Sequence, residues 1–594
     1  MPDADLAAGG LGPARVDGAT EGDDALWARR FWTDHYRADV PVCILEELSR
    51  QPRLDDLFAA DAQRFSERTG FVSLGSGLTY GRALAEARAF AGWLQSIGVE
   101  PGARVALMMP NCLQYPVALF GVLMAGAVVV NVNPLYTARE LRHQLADSGA
   151  CVVVAARLFA GTLAEGVAGT DVRRVVLTGL GDLMPAPRRW LVNALGGRAA
   201  SARWTGPVAA EPWRRVLARG RAAGYRRAPR EADDLAFLQY TGGTSGTAKG
   251  AMLSHRNVVA NVLQGRAWVM RQIPPETAVS NVTLLPLYHI FSLTANLLMF
   301  TGVGGRNVLI ANPRDARLVN LILARERFAG LAGLNTLFAG LLATPAFRRR
   351  DFSDLKLTIA GGMATQSAVA RAWEAVTGAP LVEGYGLTEC SPIVCIGHVD
   401  LDRPDSMGFD GTVGRPVPST EVRMRRADGS WCGVEEPGEL CVRGPQVMTG
   451  YWNRPQDTAA ILSGDGWLGT GDVGVMLADG RVRLVDRLKD MILVSGFNVY
   501  PSEIEDVVAA HPLVAEVAAL GLPDPVQGER VKIVVVPRCE TLNEAELLRH
   551  CRAHLTAYKT PRVVEFRSEP LPRSAVGKLL RRDLVVSPER SDGD

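Results

Sequence analysis

No CxxC pair and no other metal-like spacing occurs among the nine cysteines of this 594-residue chain; the nearest two are Cys390 and Cys395. An odd, scattered set excludes a disulfide framework and a thiolate zinc site, and reads as the reduced thiols of a cytoplasmic protein. Charge of one sign is also missing. Lys and Arg number 65 against 63 Asp and Glu, a formal net charge of +2, which argues against a dedicated nucleic-acid binder. The longest apolar run, "PVALFGVLMAGAVVVNV" (116–132), falls short of a membrane span and contains two glycines, so a buried helix followed by a core strand is expected. The first thirty residues lack the apolar stretch of a signal peptide. Small, acidic and Gly-rich, they are expected to form a disordered leader to about residue 40, with a short disordered tail over 586–594. What the chain does have is 47% apolar and 22% charged residues. That is enough for a large packed core in several domain-sized units.

From about residue 70 the pattern alternates. "ARVALMMP" (103–110) is a strand, "LQYPVALFGVLMAG" a helix, "AVVVNVNP" a strand, "TARELRHQLADSG" a Thr-capped amphipathic helix with a Gly stop, and "ACVVVAA" a strand. Such spacing predicts βαβ units on a largely parallel sheet, recurring at "RRVVLTG", "RNVLIAN" and "LKLTIAGG". Residues 181–230 interrupt it with eleven Arg against two acidic residues, interleaved with Trp190, Trp204, Trp213 and Tyr225. This basic insertion reads as a solvated surface segment. The sharper alternative is peripheral contact with anionic lipid at the inner face of a membrane. Short β-like runs with "ADG" turns follow over about 411–485. After a hinge at 486–489, residues 490–585 read as a compact α+β domain. The expected fold class is therefore α/β: a large N-terminal domain (41–485) of stacked α/β layers with a small β subdomain, and a small mobile C-terminal domain.

The stretch "YTGGTSGTAKG" (240–250) carries the first chemistry. It fits neither GxxxxGK[ST] nor GxGxxG, since Ala248 precedes Lys249 and Gly250 follows it. What remains is Thr241, Gly242, Gly243, Thr244, Ser245, Gly246 and Thr247, then Lys249. Glycines let backbone N–H groups approach an anion, the hydroxyls add donors or a magnesium ligand, and Lys249 adds a point charge. In "EGYGLTEC" (383–390), Tyr385 can stack on a base, and Thr388 and Glu389 offer a hydroxyl and a carboxylate to phosphate and magnesium. "GWLGTGDVG" places Asp472 where a carboxylate could accept two ribose hydroxyls, and "DRLKDMILVSGFNVYPSEIE" puts Arg487 beside it. "PRSAVGKLLRRDL" carries Lys578 behind a flexible glycine.

With their order along residues 45–585, these segments resemble the core motifs of the adenylate-forming superfamily, and most nearly the bacterial long-chain fatty acid–CoA ligases. "ALMMPNCLQYPVALFGVLMAGAVVVNVNPLYTARELRHQL", "LPLYHIFSL", "VEGYGLTECSP" and "GELCVRGPQVMTGYWNRP" support this. The resemblance implies ATP-dependent ligation of a long-chain fatty acid to coenzyme A through acyl-AMP, with Mg2+ as cofactor and ATP and CoA as co-substrates. Related readings keep the adenylation but load a carrier protein or take medium-chain or aryl acids. A non-catalytic acyl binder would need none of the anhydride apparatus. By resemblance, the loop from Thr241 to Lys249 embraces the β- and γ-phosphates, and Thr244 and Glu389 hold the metal. Tyr385 would stack on adenine, with Gly361 and Gly362 leaving room on its other side, and Gly386 would belong to the same ATP site. Thr388 would touch the α-phosphate, and Asp472 and Arg487 the ribose. Lys578 would bridge the fatty carboxylate and the α-phosphate, and His289 would stand near the reacting carboxylate. The C-terminal domain would turn at Lys489, bringing the Gly496 loop into the CoA channel. "IFSLTANLLMF" and "GLNTLF" would line the acyl tunnel, and relatives of this kind are often homodimers. Two departures stand out. Gly469 replaces the usual His before Thr-Gly-Asp, which is expected to loosen that turn. "IAGGMATQ" (359–366) lacks the usual closing Pro, which leaves its loop geometry open.

Overall fold

The computed structural model describes residues 26–51, 53–195, 204–241, 248–274, 277–495, 497–525, 527–539, 541–573 and 579–585. Two large sheets dominate the N-terminal domain. The first has seven strands, in the order Ala210–Pro212, Arg174–Thr178, Ala150–Ala156, Arg104–Met108, Val128–Asn131, Leu235–Thr241 and Lys249–Ser254. All pairs are parallel except the last. Its strands are covered on both faces: Val105 and Leu107 point into one apolar cluster, Ala106 and Met108 into another. That double burial is why these strands read as continuous apolar runs rather than alternating ones. The helix Gln114–Met124 is buried at every position, as expected of a helix apolar all round. The expected helix-then-strand over 116–132 is thus what forms, with Val128–Asn131 as the strand. The next helix, Ala138–Ser148, carries the predicted cap as a full capping box. Thr137 accepts from the Glu140 N–H while the Glu140 carboxylate accepts from the Thr137 N–H, and Gly149 closes the helix at φ 59°.

The second sheet has nine strands, with Leu357–Ala360, Gly330–Gly333, Ser280–Thr283 and Arg306–Leu309 at its parallel centre. Helices lie between the two sheets, and one apolar cluster joins Val105 and Phe237 of the first to Phe71 and Leu309 of the second. The β subdomain is an antiparallel sheet of Glu421–Arg425, Gly438–Arg443, Leu468–Met476 and Val482–Arg487. The C-terminal domain has its own five-stranded sheet, helices Pro501–Ala509 and Glu544–His554, and its own core around Ile504, Ile533 and Leu547.

Two expectations need correction. The leader does not extend to residue 40. Trp27, Phe31 and Trp32 are buried, Arg423 lies over the Trp27 ring, and Arg30 pairs with Glu421 at 2.7 Å. The aromatic residues that follow the acidic leader supply enough apolar area to strap the chain onto the β subdomain. Nor is 181–230 a simple solvated insertion. Ala210–Pro212 extends the seven-stranded sheet. The helix Trp213–Ala223 packs on Tyr80–Ser96 so closely that a Cβ on Gly220 would lie 1.7 Å from the Ala89 carbonyl oxygen. Trp213 is fully buried, and several arginines meet carboxylates, Arg219 on Glu211 and Arg227 on Asp56. Of the four aromatics noted there, Trp190 alone stands clear of the core, 64% exposed.

Candidate active site

Parallel strands deliver loops from their carboxyl ends, where open α/β sheets gather their ligands. Here those ends are Thr241 in one sheet and Thr283, Gly333 and Ala360 in the other, with Gly386 closing the neighbouring Leu381–Gly386. Thr241 pairs in register with Lys249 across the mouth of the Gly-rich loop. Gly242, Gly243, Thr244, Ser245, Gly246 and Thr247 lie outside the described residues, as do Gly496 and Lys578. The strand that begins at Lys249 pairs along its outer edge with residues 449–452: the Met252 N–H donates to the Gly450 oxygen at 2.9 Å and the Trp452 N–H to the Gly250 oxygen at 2.8 Å. This edge seats Tyr451 beside Lys249. The Lys249 ammonium lies 5.4 Å from the Tyr451 ring centroid and 2.8 Å from an Asp457 oxygen. The Tyr451 hydroxyl donates to Glu389 Oε1 at 2.6 Å.

Glu389 and Thr388 sit on the short turn Thr388–Cys390. The turn is held from outside: the Met448 N–H donates to the Glu389 carbonyl at 2.7 Å, and Ser391 Oγ donates to the Gln446 carbonyl at 2.9 Å. Just upstream, Tyr385 is buried and donates its hydroxyl to Asp472 Oδ2 at 2.7 Å. Arg487 Nε reaches the other oxygen, Oδ1, at 3.1 Å. Burial first, and then the Asp472 charge, push the Tyr385 phenol well above its ordinary range. It therefore stays a protonated donor. Asp472 and Arg487 face each other in register across two strands of the β subdomain, so the carboxylate and its cation are placed by backbone pairing. Gly386 is required by packing, because a Cβ there would lie 2.0 Å from the Pro392 oxygen. A Cβ on Gly361 would meet the Gly384 oxygen and the Phe291 ring, each at 3.1 Å, and Gly362 has φ +76°.

His289 caps the turn Ile290–Ser292, its Nδ1 accepting from the Phe291 N–H at 3.4 Å. The apolar stretch after it includes a π-helical segment, Leu293–Leu298. Such segments are often found at functional sites. At the hinge, Asp486 accepts from both the N–H and the hydroxyl of Ser502, at 2.8 and 2.7 Å, and the Leu488 N–H donates to the Gly471 oxygen at 2.9 Å. Lys489 follows, exposed, between these anchors and Asp490.

The expected loosening at Gly469 does not occur. The space a side chain would fill is taken by the Arg425–Glu439 ion pair, whose atoms would lie 2.8 Å from a Cβ there. Glu439 in turn accepts from the Gly471 N–H at 3.2 Å. The 361–366 loop is likewise pinned. The Thr365 N–H donates to Glu383 at 3.2 Å and the Gln366 N–H to Asn335 at 3.0 Å. Burial raises the Glu383 carboxyl to about 7. Glu383, Tyr451 and Asp457 were not singled out from the sequence. Tyr451 lies in the quoted "MTGYWNRP", but nothing in its spacing marks a hydroxyl aimed at Glu389.

Among the described residues no group of three or more His, Cys, Asp or Glu could hold a metal ion. Glu389 offers a single hard carboxylate oxygen, the kind of ligand that Mg2+ takes alongside water and substrate phosphates.

A family model described as AMP-binding enzyme matches residues 58–452, and one described as AMP-binding enzyme C-terminal domain matches residues 503–578. A long-chain-fatty-acid–CoA ligase of Yersinia pestis is 50% identical over 558 residues, 93% of this chain and 97% of that protein. One from Escherichia coli O157:H7 is 49% identical over 559 residues, 94% and 98% of the two chains. An ATP-bound structure of MatB from Rhodopseudomonas palustris superposes with a TM-score of 0.74 at 27% identity, covering 90% of this chain and 98% of that one.

Proposed function

The chain belongs to the AMP-binding enzyme family, and from that premise we infer that it joins a long-chain fatty acid to coenzyme A in two steps. A carboxylate is a poor acyl donor because its leaving group would be oxide. Its oxygen attacks the α-phosphorus of ATP, the bond to the bridging oxygen breaks, and pyrophosphate leaves. The mixed anhydride, acyl-AMP, has a good leaving group. The CoA thiol loses its proton, its sulfur attacks the acyl carbon, and AMP departs. The first step crowds anions together, so preorganised cations and donors do most of the catalytic work.

One observation carries the assignment of roles. The segment from Tyr385 to Glu389 links two clusters: the Tyr385–Asp472–Arg487 network and the Glu389–Tyr451–Lys249 network. The first suits a nucleoside, with Asp472 accepting from ribose hydroxyls. The second suits the pyrophosphate end, with Lys249 neutralising phosphate charge. Mg2+, held by Glu389 with Thr244, would supply further neutralisation there. Thr388 lies between the two, where the α-phosphate would be. His289, on the loop that follows the Ser280–Thr283 strand, is assigned in this reading to the acyl side. Incubation with palmitate or oleate, ATP, Mg2+ and CoA is expected to yield AMP and acyl-CoA in equal amounts. Failure to form either across medium- and long-chain acids would sink the reading. Acyl-AMP that accumulates regardless of CoA would point to a carrier-protein acceptor, and preferential turnover of aryl acids to another CoA ligase.

We also place the protein in the cytoplasm, peripheral on the inner face of a membrane. No helix among the described residues is long and apolar enough to cross one. The helix Arg188–Leu195 instead presents Trp190 and Leu191, 64% and 62% exposed, next to Arg188 and Arg189. An exposed apolar pair beside cations suits an anionic lipid interface. A Trp190→Ala, Leu191→Ala double variant is expected to lose about tenfold in partition onto phosphatidylserine vesicles. Unchanged partition would remove this helix from the contact.

A further inference from the structure

Tyr451 touches both groups assigned to the pyrophosphate end of the site. Its hydroxyl donates to Glu389 at 2.6 Å, and its ring lies under the Lys249 ammonium at 5.4 Å. The tyrosine is fixed by the backbone bonds of its neighbours Gly450 and Trp452 to the strand that begins at Lys249, and its own N–H donates to Thr458 Oγ1 at 2.9 Å. The hydroxyl thus occupies Oε1 of Glu389 and fixes the direction in which that carboxylate points. Lys249 is held differently. Its Asp457 partner lies at 2.8 Å, but the two side chains are 35% and 40% exposed. An ion pair this open to water is worth little and is readily exchanged.

We propose that Tyr451 is a positioning residue that aims Glu389 and seats Lys249, and that Asp457 is the counter-ion Lys249 gives up when the pyrophosphate end of ATP arrives. The proposal rests on the ATP site described above. Once Lys249 turns to phosphate, Asp457 is left as an unpaired carboxylate near an anionic ligand. Its repulsion weakens the hold on ATP and helps pyrophosphate leave. The ring of Tyr451 meanwhile keeps the ammonium near both partners, so the exchange needs only a small movement of one flexible side chain.

Titration calorimetry with ATP, in Mg2+ or in EDTA, separates these roles, because it reads binding rather than turnover. Tyr451→Phe keeps the ring and loses the hydroxyl. It is expected to weaken MgATP binding about tenfold, the scale of one hydrogen bond to a charged group, while metal-free ATP binds as in the parent. Tyr451→Leu should weaken both. Asp457→Asn is expected to tighten ATP and pyrophosphate about threefold, a gain that fades in high salt. Thermal melting of each variant checks that the fold is intact. Equal weakening of Tyr451→Phe with and without Mg2+, or no weakening at all, would overturn the aiming role. Asp457→Asn that binds ATP no more tightly than the parent would overturn the exchange. A parent protein that binds no ATP under either condition would overturn the ATP site itself.

Discussion

Asp472→Ala is expected to lower kcat/KM for ATP by about a thousandfold. The carboxylate would accept from two ribose hydroxyls, and hydrogen bonds to a charged acceptor are worth about 1.5–3 kcal/mol each. Two of them give a loss of about 10²–10⁴-fold. Removal also leaves Tyr385 and Arg487 without the group that orients them, at 2.7 and 3.1 Å. Tyr385 is buried, so its hydroxyl would lose its partner where water is scarce. A purely structural role would show itself as a large fall in melting temperature with no change in nucleotide preference. The ribose role makes a different demand. The parent should discriminate strongly between ATP and its 2′,3′-dideoxy analogue, and Asp472→Ala should lose that discrimination. A variant that still prefers ATP by the parental ratio would show that Asp472 does not read the ribose.

The local elements were legible because each rests on residues close in sequence. The Thr137–Glu140 capping box with Gly149 fixes one helix. The unbroken apolar run Ala150–Ala156 fixes a doubly covered strand. The "ADG" turn over 478–480 fixes the hairpin of Leu468–Met476 with Val482–Arg487. Sheet order was not legible in the same way. Phe71 pairs with Asn307, more than two hundred positions on, and nothing near either residue names its partner. Trp213 is a similar case. Among arginines it reads as surface, and only the glycine-lined crossing with the helix Tyr80–Ser96 makes its burial possible. Trp27 and Trp32 were hidden by the acidic, Gly-rich residues before them.

At the site, the motif residues were legible through their order and chemistry, and the structure joins Tyr385, Asp472 and Arg487 in one network and Glu389 and Lys249, through Tyr451, in another. What the sequence withheld were their partners. Asp457 sits eight positions before Asp465 in a stretch with no motif weight, yet it meets Lys249, which is more than two hundred residues away. The Arg425–Glu439 pair that replaces a side chain at Gly469 comes from two other strands. Such compensations depend on packing across strands, which pattern and propensity do not carry.

Lys578→Ala should separate the two half-reactions. Adenylation brings a fatty carboxylate against the α-phosphate, and one well-placed cation at developing charge is worth about 10²–10³-fold in rate. Fatty-acid-dependent exchange of pyrophosphate into ATP is therefore expected to fall by about that factor. Thioester formation from supplied acyl-AMP should persist at near the parental rate, because the anhydride is already made. In the proposed reading the C-terminal domain would bring Lys578 in and take it away as a unit. Just beyond it, Arg581 is fastened to Glu505 at 2.7 Å and to Asp490 at 3.3 Å, both on the far side of the hinge at 486–489. Burial favours the neutral form of Glu505, so its carboxylate depends on that arginine for compensation. The tie binds the segment around Arg581 to the helix Pro501–Ala509, and that helix meets the hinge through Ser502 and Asp486. A turn at Lys489 would then carry the lysine, the helix and the CoA-channel loop together. Equal loss of both half-reactions would refute the alternation of Lys578 between them. Full retention of pyrophosphate exchange would remove it from the chemistry.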